Sequence, residues 1–338
     1  MKIFVTGGTG YIGSHTAVEL IAKGHEVVIV DNLSNSNIGV LDGIEKISGV
    51  RPHFEQFDIC DFKKLSDFFA RHSDIAATIH FAASKAVGES VADPLKYYRN
   101  NLQTLTNLLT LHVERKINNF VFSSSCTVYG QPETLPVTEN APVQIATSPY
   151  GNTKQIAEEI LADTVHAHQD LKVIALRYFN PIGAHPSALI GELPNGVPSN
   201  LVPFVTQTAA GLRKSLSVYG NDYNTPDGSC IRDYINVVDL AKAHVIAIER
   251  LLQAKNKKQF EVFNLGTGNG VSVLELINVF EKVNNLKLPY QIVGRRPGDV
   301  EQVWADTRFA NEELGWKAQK SLEETLQSAW NWQCKFTN

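Results

Sequence analysis

The sequence is poor in cysteine, nearly balanced in charge and free of long apolar runs, and each shortage excludes a class of protein. Its four cysteines, Cys60, Cys126, Cys230 and Cys334, lie far apart and fit neither a disulfide framework nor a metal-ligand spacing. No metal is expected, and a reducing cytoplasm is the expected compartment. A formal charge of −4 and a pI near 6.2 give no basic field. With no local basic patch either, nucleic acid is not an expected partner. No apolar run reaches membrane-spanning length, and the glycines of M-K-I-F-V-T-G-G-T-G come too early for the apolar core of a signal peptide. Repeats, charge blocks and low-complexity segments are also missing. What is present is 338 residues with 43% apolar and 20% charged content. That is enough to bury a large core in one big domain or two closely joined ones, and it excludes a disordered chain.

Short runs rich in Val, Ile and Phe recur along the chain: K-I-F-V-T, E-V-V-I-V-D, H-F-E-Q-F-D, A-T-I-H-F-A, N-F-V-F-S-S-S and K-V-I-A-L-R-Y-F. Between them, Gly13 to Lys23, Asp61 to Arg71, Pro94 to Arg115 and Pro149 to Gln169 carry helical patterns. The alternation predicts an α/β fold of the doubly wound, Rossmann type, a parallel sheet with helices on both faces. From Asn180 to about Ile231 the chain turns rich in Pro, Gly and Asn, which predicts loops, short strands and one helix. A helix near Val237 to Leu252 and a strand at Phe260 to Leu265 resume the first pattern, and helices around Ser272 to Asn284 and Ser321 to Trp332 follow. The expected division is a dinucleotide-binding domain over 1–180, with 232–265 returning to it. A smaller C-terminal α/β substrate domain takes 181–231 and 266–338.

The first strand runs into T-G-G-T-G-Y-I-G, with Gly7, Gly10 and Gly13 at three-residue spacing and a helical pattern starting at once. A strand-to-helix turn without Cβ atoms lets a pyrophosphate approach backbone amides at a helix N-terminus, where unpaired N–H groups and the helix dipole favour an anion. The second strand ends at Asp31, where such folds place the acid that accepts from the adenosine ribose hydroxyls. With no Arg between Asp31 and Arg51, a 2′-phosphate would be repelled, and NAD is favoured over NADP. Asp58, closing the third strand, suits the adenine side and equally suits a plain turn.

Tyr150 and Lys154 in S-P-Y-G-N-T-K share one face if a helix begins there, a spacing that chance supplies readily on its own. Ser148 and Pro149 have the character of an N-cap and a first helical residue, putting Tyr150 at the positive end of the dipole. Bringing a phenol from a pKa of about 10 to near 7 takes roughly 4 kcal/mol. Lys154, the dipole and an oxidised nicotinamide would share that work. Ser123, Ser124 and Ser125 end the fifth strand at the carboxyl edge of the sheet, where a hydroxyl faces the ligand crevice. His15, His80 and His185 are expected to be structural, and Tyr129 to pack while lying near the crevice.

T-G-G-T-G-Y-I-G with Asp31, F-S-S-S-C-T-V-Y-G, S-P-Y-G-N-T-K and R-Y-F-N-P together resemble the extended short-chain dehydrogenases/reductases over essentially the whole chain. Within them, H-F-A-A-S-K-A-V-G-E-S, Y-F-N-P-I-G-A-H-P-S and G-N-D-Y-N-T-P-D-G-S-C-I-R-D-Y-I-N-V resemble the UDP-sugar 4-epimerases. The resemblance implies interconversion of UDP-glucose and UDP-galactose: hydride passes from C4 to a tightly bound NAD and returns to the other face of a 4-keto sugar. It implies Tyr150 as general base, Lys154 as its tuner and Ser125 at the sugar O4. Around the cofactor it places Tyr11, Ile12, Asn32, Asn35, Ile59, Phe81, Ala82, Ala83, Lys85, Asn100, Ser123 and Tyr178. Toward the UDP-sugar it places Lys85, Phe179, Asn180, Asn200, Leu201, Tyr219, Arg232, Arg296 and Asp299. Val303, just before Trp304, would gate the sugar pocket, and a small residue there implies room for UDP-N-acetylglucosamine. A homodimer is implied, paired through Pro94 to Arg115 and Pro149 to Gln169.

Two other functions are compatible with parts of this pattern. A nucleotide-sugar 4,6-dehydratase shares the fold, NAD, Tyr and Lys, but that family has an Asp-Glu pair after the Ser/Thr of the fifth strand, where this chain has Cys126 and Thr127. A simple dehydrogenase is excluded less firmly. A non-catalytic NAD-binding regulator would have no need of Tyr150, Lys154 and Ser125 together.

Overall fold

A computed structural model describes residues 1–296 and 299–336 of the chain. Seven strands form one parallel sheet: Lys2–Thr6, Glu26–Asp31, His53–Gln56, Ile75–His80, Asn119–Ser125, Lys172–Tyr178 and Phe260–Leu265. In space they run seventh, sixth, fifth, fourth, first, second, third. The first strand shows why the sheet is parallel and central: Ile3, Phe4 and Val5 are all fully buried, so both faces are covered. Ile3 and Val5 face a core completed by Ala17 and Leu20, by Leu41 and Ile44, and by Leu240, Ile248 and Leu251. These come from helices Tyr11–Ala22, Val40–Ser48 and Val237–Leu252. Phe4 faces the other core, with Leu65, Phe68, Leu105, Leu161 and Val165 from helices Phe62–Arg71, Pro94–Arg115 and Pro149–Ala167. Three layers result, as the alternating sequence pattern predicts.

Because the chain builds outward from the first strand to the third and then returns to the first strand's other side, the order reverses between the first and fourth strands. A crevice opens there at the carboxyl ends. The strand Phe260–Leu265 lies against Lys172–Tyr178 in parallel register, so this late segment belongs to the same sheet.

Residues 180–231 hold the expected short strands and a single helix, Leu201–Ala209. Asn180–Ile182 pairs with Tyr234–Asn236, Leu216–Tyr219 with Tyr290–Val293, and Ile231–Arg232 with both Val271–Ser272 and Gln302–Val303. A separate core forms here from Val202, Val205, Val218, Leu276, Phe280 and Leu326. Helices Val273–Asn284 and Leu322–Cys334 each begin with a capping box, at Ser272 with Glu275 and at Ser321 with Glu324. Helices Val40–Ser48 and Val87–Ala92 add to those expected from the sequence. Of the G-R-R-P-G-D turn, Pro297 and Gly298 lie outside the described residues.

Candidate active site

The glycine turn is dictated by close approach. Gly7 has φ +68°, and a Cβ on it would stand 2.8 Å from the Ala82 amide nitrogen. A Cβ on Gly13 would overlap the Gly7 carbonyl oxygen. Gly10 differs: its Cβ would meet only that same oxygen, at 3.1 Å, and otherwise open space. It is also the N-cap of helix Tyr11–Ala22, with no side chain capping the helix. The turn therefore brings a bare backbone and a helix N-terminus to the crevice, a cradle that fits a pyrophosphate.

Asp31 at the end of the second strand accepts from the Thr9 amide at 3.3 Å, the Leu33 amide at 2.9 Å and the Ser36 hydroxyl at 3.2 Å. It is half-buried beside the glycine turn. Asn32 donates to Asp58 at 3.1 Å, while Asn35 and Asp58 are exposed and Ile59 is buried. Across the crevice, Phe81 packs its ring 4.7 Å from His244, Asn100 donates to Ser84 at 3.2 Å, and Ala82 and Ala83 are half-buried. Tyr11 donates its hydroxyl to the Gly183 carbonyl at 2.7 Å. Ile12 packs on the core of its own face.

Helix Pro149–Ala167 starts as its sequence predicts: Ser148 caps it by accepting from the Gly151 amide at 3.2 Å, and Pro149 is its first residue. Tyr150 thus lies in the first turn. Lys154 is buried and donates its ammonium to the Ser123 carbonyl at 2.6 Å, with Nζ 5.9 Å from the centre of the Tyr150 ring. The Ser123 hydroxyl bonds the Tyr178 hydroxyl. Ser125 accepts from the Thr127 amide at 3.2 Å and lies close enough to Tyr150 to oppose in part the rise in its pKa. The side chains named from the ends of two strands and the start of one helix therefore meet at one point.

The electrostatics depart from the expected lowering of the phenol. Burial pushes Tyr150 up to about 12, only partly opposed by Ser125. Burial likewise pulls Lys154 down to about 8, with the Glu158 carboxylate holding it up in part. Glu158 was not named from the sequence. It accepts from the Ser124 hydroxyl and forms a buried ion pair with Arg177 through both oxygens. Arg177 goes on to the Tyr129 hydroxyl at 3.0 Å, and Tyr129 donates to Asn264 at 2.6 Å. This buried chain ties the fifth, sixth and seventh strands to the helix that carries Tyr150 and Lys154. A signal existed: Glu158 follows Lys154 by four residues, as Lys154 follows Tyr150, so all three lie along one helix face.

The remaining named residues fall into three groups, with Asn180 apart from them. Lys85 and Asn200 both reach Glu192, at 3.3 and 2.6 Å, a carboxylate with no distinguishing sequence signal. Asn200 also precedes Leu201 at the start of helix Leu201–Ala209. Arg296 pairs with Asp299 at 2.7 Å and places its guanidinium 5.4 Å from the Tyr219 ring, which is exposed. Arg232 lies in register with Val303, and Val303 is buried with Phe179, Val128 and Tyr129. Asn180 joins the two regions by donating its amide to the Asp233 carbonyl at 2.9 Å. His15 and His80 are buried and bonded to Tyr11 and Thr6, in keeping with structural roles.

A family profile described as GDP-mannose 4,6 dehydratase matches residues 4–329. The UDP-glucose 4-epimerase of Bacillus subtilis is 51% identical over 339 residues, covering 100% of this chain and 98% of its own length. The chain belongs to the UDP-glucose 4-epimerase family. The UDP-glucose 4-epimerase of Dictyostelium discoideum is also 51% identical, over 98% of this chain and 95% of its own. The UDP-glucose 4-epimerase of Bifidobacterium longum, solved in complex with NAD+ and UDP, superposes with a TM-score of 0.95 at 46% identity, over 99% of this chain and 98% of that one. The UDP-Glc/GlcNAc 4-epimerase of Campylobacter jejuni gives a TM-score of 0.84 at 36% identity, over 99% of both chains. The resemblance to extended short-chain dehydrogenases/reductases is thereby borne out. Between the dehydratase and epimerase branches, these full-length relatives agree with the missing Asp-Glu pair.

Proposed function

We infer that the chain is an NAD-dependent isomerase that interconverts UDP-glucose and UDP-galactose at C4. The observation that carries this reading is the meeting of Tyr150, Lys154 and Ser125 beside a glycine cradle, in a chain 51% identical to a UDP-glucose 4-epimerase over its full length. The backbone at Gly7, Gly10 and Gly13 and the carboxylate of Asp31 suit the cofactor's pyrophosphate and ribose. Bound NAD supplies the acceptor, and later the donor, of the C4 hydride.

Tyr150 takes the proton from the sugar O4 hydroxyl as hydride leaves C4, and Ser125 holds that hydroxyl. Because burial alone pushes the phenol up, the Lys154 ammonium, the helix N-terminus and the cofactor's positive ring must together offset it. Once the 4-keto sugar has turned about its pyrophosphate link, Tyr150 would give the proton back to O4 as C4 is reduced on its opposite face. Net redox is zero. Arg232 and Arg296 suit the substrate pyrophosphate, since a planar guanidinium can hold two oxygens at once. Tyr219 suits stacking on uracil, with Asn180, Asn200, Leu201 and Asp299 around the nucleotide. The small side chain of Val303, where the family resemblance puts a gate to the sugar pocket, supports UDP-N-acetylglucosamine as a proposed second substrate. The division into a cofactor domain and a nucleotide-sugar domain, a cytoplasmic location and a homodimer through helices Pro94–Arg115 and Pro149–Ala167 complete the proposal. The four free cysteines suit a reducing compartment, and among the described residues no helix is long and apolar enough to cross a membrane.

The test is to incubate purified protein with UDP-glucose, with and without added NAD, following UDP-galactose by NMR and NADH by absorbance. Epimer without net NADH is expected; steady NADH release without epimer would sink the reading. Tyr150→Phe is expected to lower kcat by about 10²–10⁴-fold while keeping UDP-sugar binding. Unchanged turnover would remove Tyr150 from the base role. Failure to turn over UDP-N-acetylglucosamine, in enzyme fully active on UDP-glucose, overturns the Val303 argument alone.

A further inference from the structure

The far edge of the sheet gathers three metal-ligating side chains that the epimerase chemistry does not use. Among the described residues the third strand, His53–Gln56, pairs only with the second, so its outer side has no neighbouring strand there. His53 and Glu55, two residues apart, point to the same face of it. His72, the C-cap of helix Phe62–Arg71, comes up beside them.

The Oε1 oxygen of Glu55 lies 3.1 Å from His72 Nε2 and 3.5 Å from His53 Nε2. The two imidazole rings are 4.9 Å apart, and one ligand atom from each of the three residues falls within 4.8 Å of the others. Ligands held at about 2.0–2.1 Å from a tetrahedral zinc ion are separated by about 3.3 Å. The two distances to Glu55 bracket that value. Arg71 donates to the other carboxylate oxygen, Oε2, at 2.5 Å, which fixes the carboxylate and leaves Oε1 facing the imidazoles. Phe68 holds the His72 ring at 4.7 Å. The site thus has oriented ligands and a supporting contact for two of the three.

We propose that His53, Glu55 and His72 form a binding site for a divalent transition-metal ion of the zinc class, fastening the edge strand to the end of the helix. Two imidazole nitrogens and one carboxylate oxygen suit zinc, nickel or copper and not magnesium or calcium, which take oxygen ligands. The negative end of the helix dipole favours a cation at its C-terminus, while the Arg71 guanidinium opposes one. Water fills the remaining coordination position. The fourth, first and second strands separate this site from the fifth strand, where Ser125 lies, so the ion has no part in the hydride chemistry.

The experiment uses the full chain without an affinity tag, stripped with chelator and titrated with Zn2+ by calorimetry. A parallel titration with Co2+ is followed by its visible absorption. One equivalent is expected to bind, with the intense bands of four-coordinate Co2+, and His53→Ala, His72→Ala and Glu55→Gln are each expected to weaken binding about tenfold or more. His166→Ala, a surface histidine elsewhere, should leave it unchanged, and circular dichroism of every variant checks folding. Absence of binding in the wild type, or equal affinity in the three variants, overturns the site.

Discussion

At the scale of single residues, the site combines a phenol and an ammonium that burial drives in opposite directions, Tyr150 up to about 12 and Lys154 down to about 8. Both shifts oppose the charged forms that base catalysis uses, so each needs a partner. Lys154 has one in Glu158, four residues along the same helix, itself held by Arg177. Other groups in the neighbourhood are Tyr178 on the sixth strand and His80 on the fourth, whose own ring the Lys154 charge helps to keep neutral. Glu158→Gln retains an acceptor for the Ser124 hydroxyl but removes the charge. Lys154 then loses its proton at lower pH, and the alkaline limb of the kcat/KM profile moves down the pH scale; Ser124→Ala leaves it in place. Arg177, left with an uncompensated buried charge, makes the same variant less stable by about 3–5 kcal/mol, read by denaturant titration. A limb that stays put while stability falls would assign the pair a structural role only.

At the scale of elements, the strand-turn-helix unit at the N-terminus separates packing from binding within three glycines. Gly13 touches the protein: a side chain there would overlap the Gly7 carbonyl oxygen and approach Gly8 Cα at 2.9 Å. Gly10 touches little but that carbonyl and leaves its other side open. Gly13→Ala should therefore cost about 1–3 kcal/mol of stability through overpacking, and NAD binding with it. Gly10→Ala should change stability by less than about 0.5 kcal/mol yet still weaken NAD, because the added methyl enters the space beside the helix N-terminus. Thermal melts with and without NAD measure both. Equal effects of the two variants on melting would contradict the division. This unit was fully legible in the sequence, as were Ser148 and Pro149 at the start of the helix that carries Tyr150 and Lys154, because cap, turn and strand signals are local. Glu192 and the bond from Tyr129 to Asn264 were not. They join residues far apart in the chain through loops, and no period or spacing marks such a meeting in advance.

At the scale of the whole molecule, the two faces of the sheet share a dependence on neutral histidine. His15 lies in helix Tyr11–Ala22 against the Tyr11 carbonyl, His244 in helix Val237–Leu252 against the Leu240 carbonyl, and both help cover one face. His112, on the opposite face, is held between Thr78 and the Ile117 carbonyl, and His80 ends the fourth strand against Thr6. Burial lowers His15 and His80 to about 3, and His112 and His244 to about 4. In the unfolded chain each titrates near 6.5. Stability from these four groups is therefore complete above about pH 6.5 and is lost as pH falls from there toward 3–4, because the unfolded chain takes up protons that the folded one refuses. Four such groups give a slope of at most about 5 kcal/mol per pH unit. Glu19, Glu139 and Asp233 oppose part of it, since burial holds their carboxyls above the usual range and the folded state takes up their protons first. Against a total stability of about 5–15 kcal/mol, the histidine term is large enough to unfold the protein between about pH 6 and 4. Urea titrations at pH 7, 6 and 5 should give midpoints that fall at each step, and His112→Gln should flatten the fall. Midpoints that hold constant down to pH 5 would mean that the sheet tolerates charged imidazoles, and the burial argument for all four would fail.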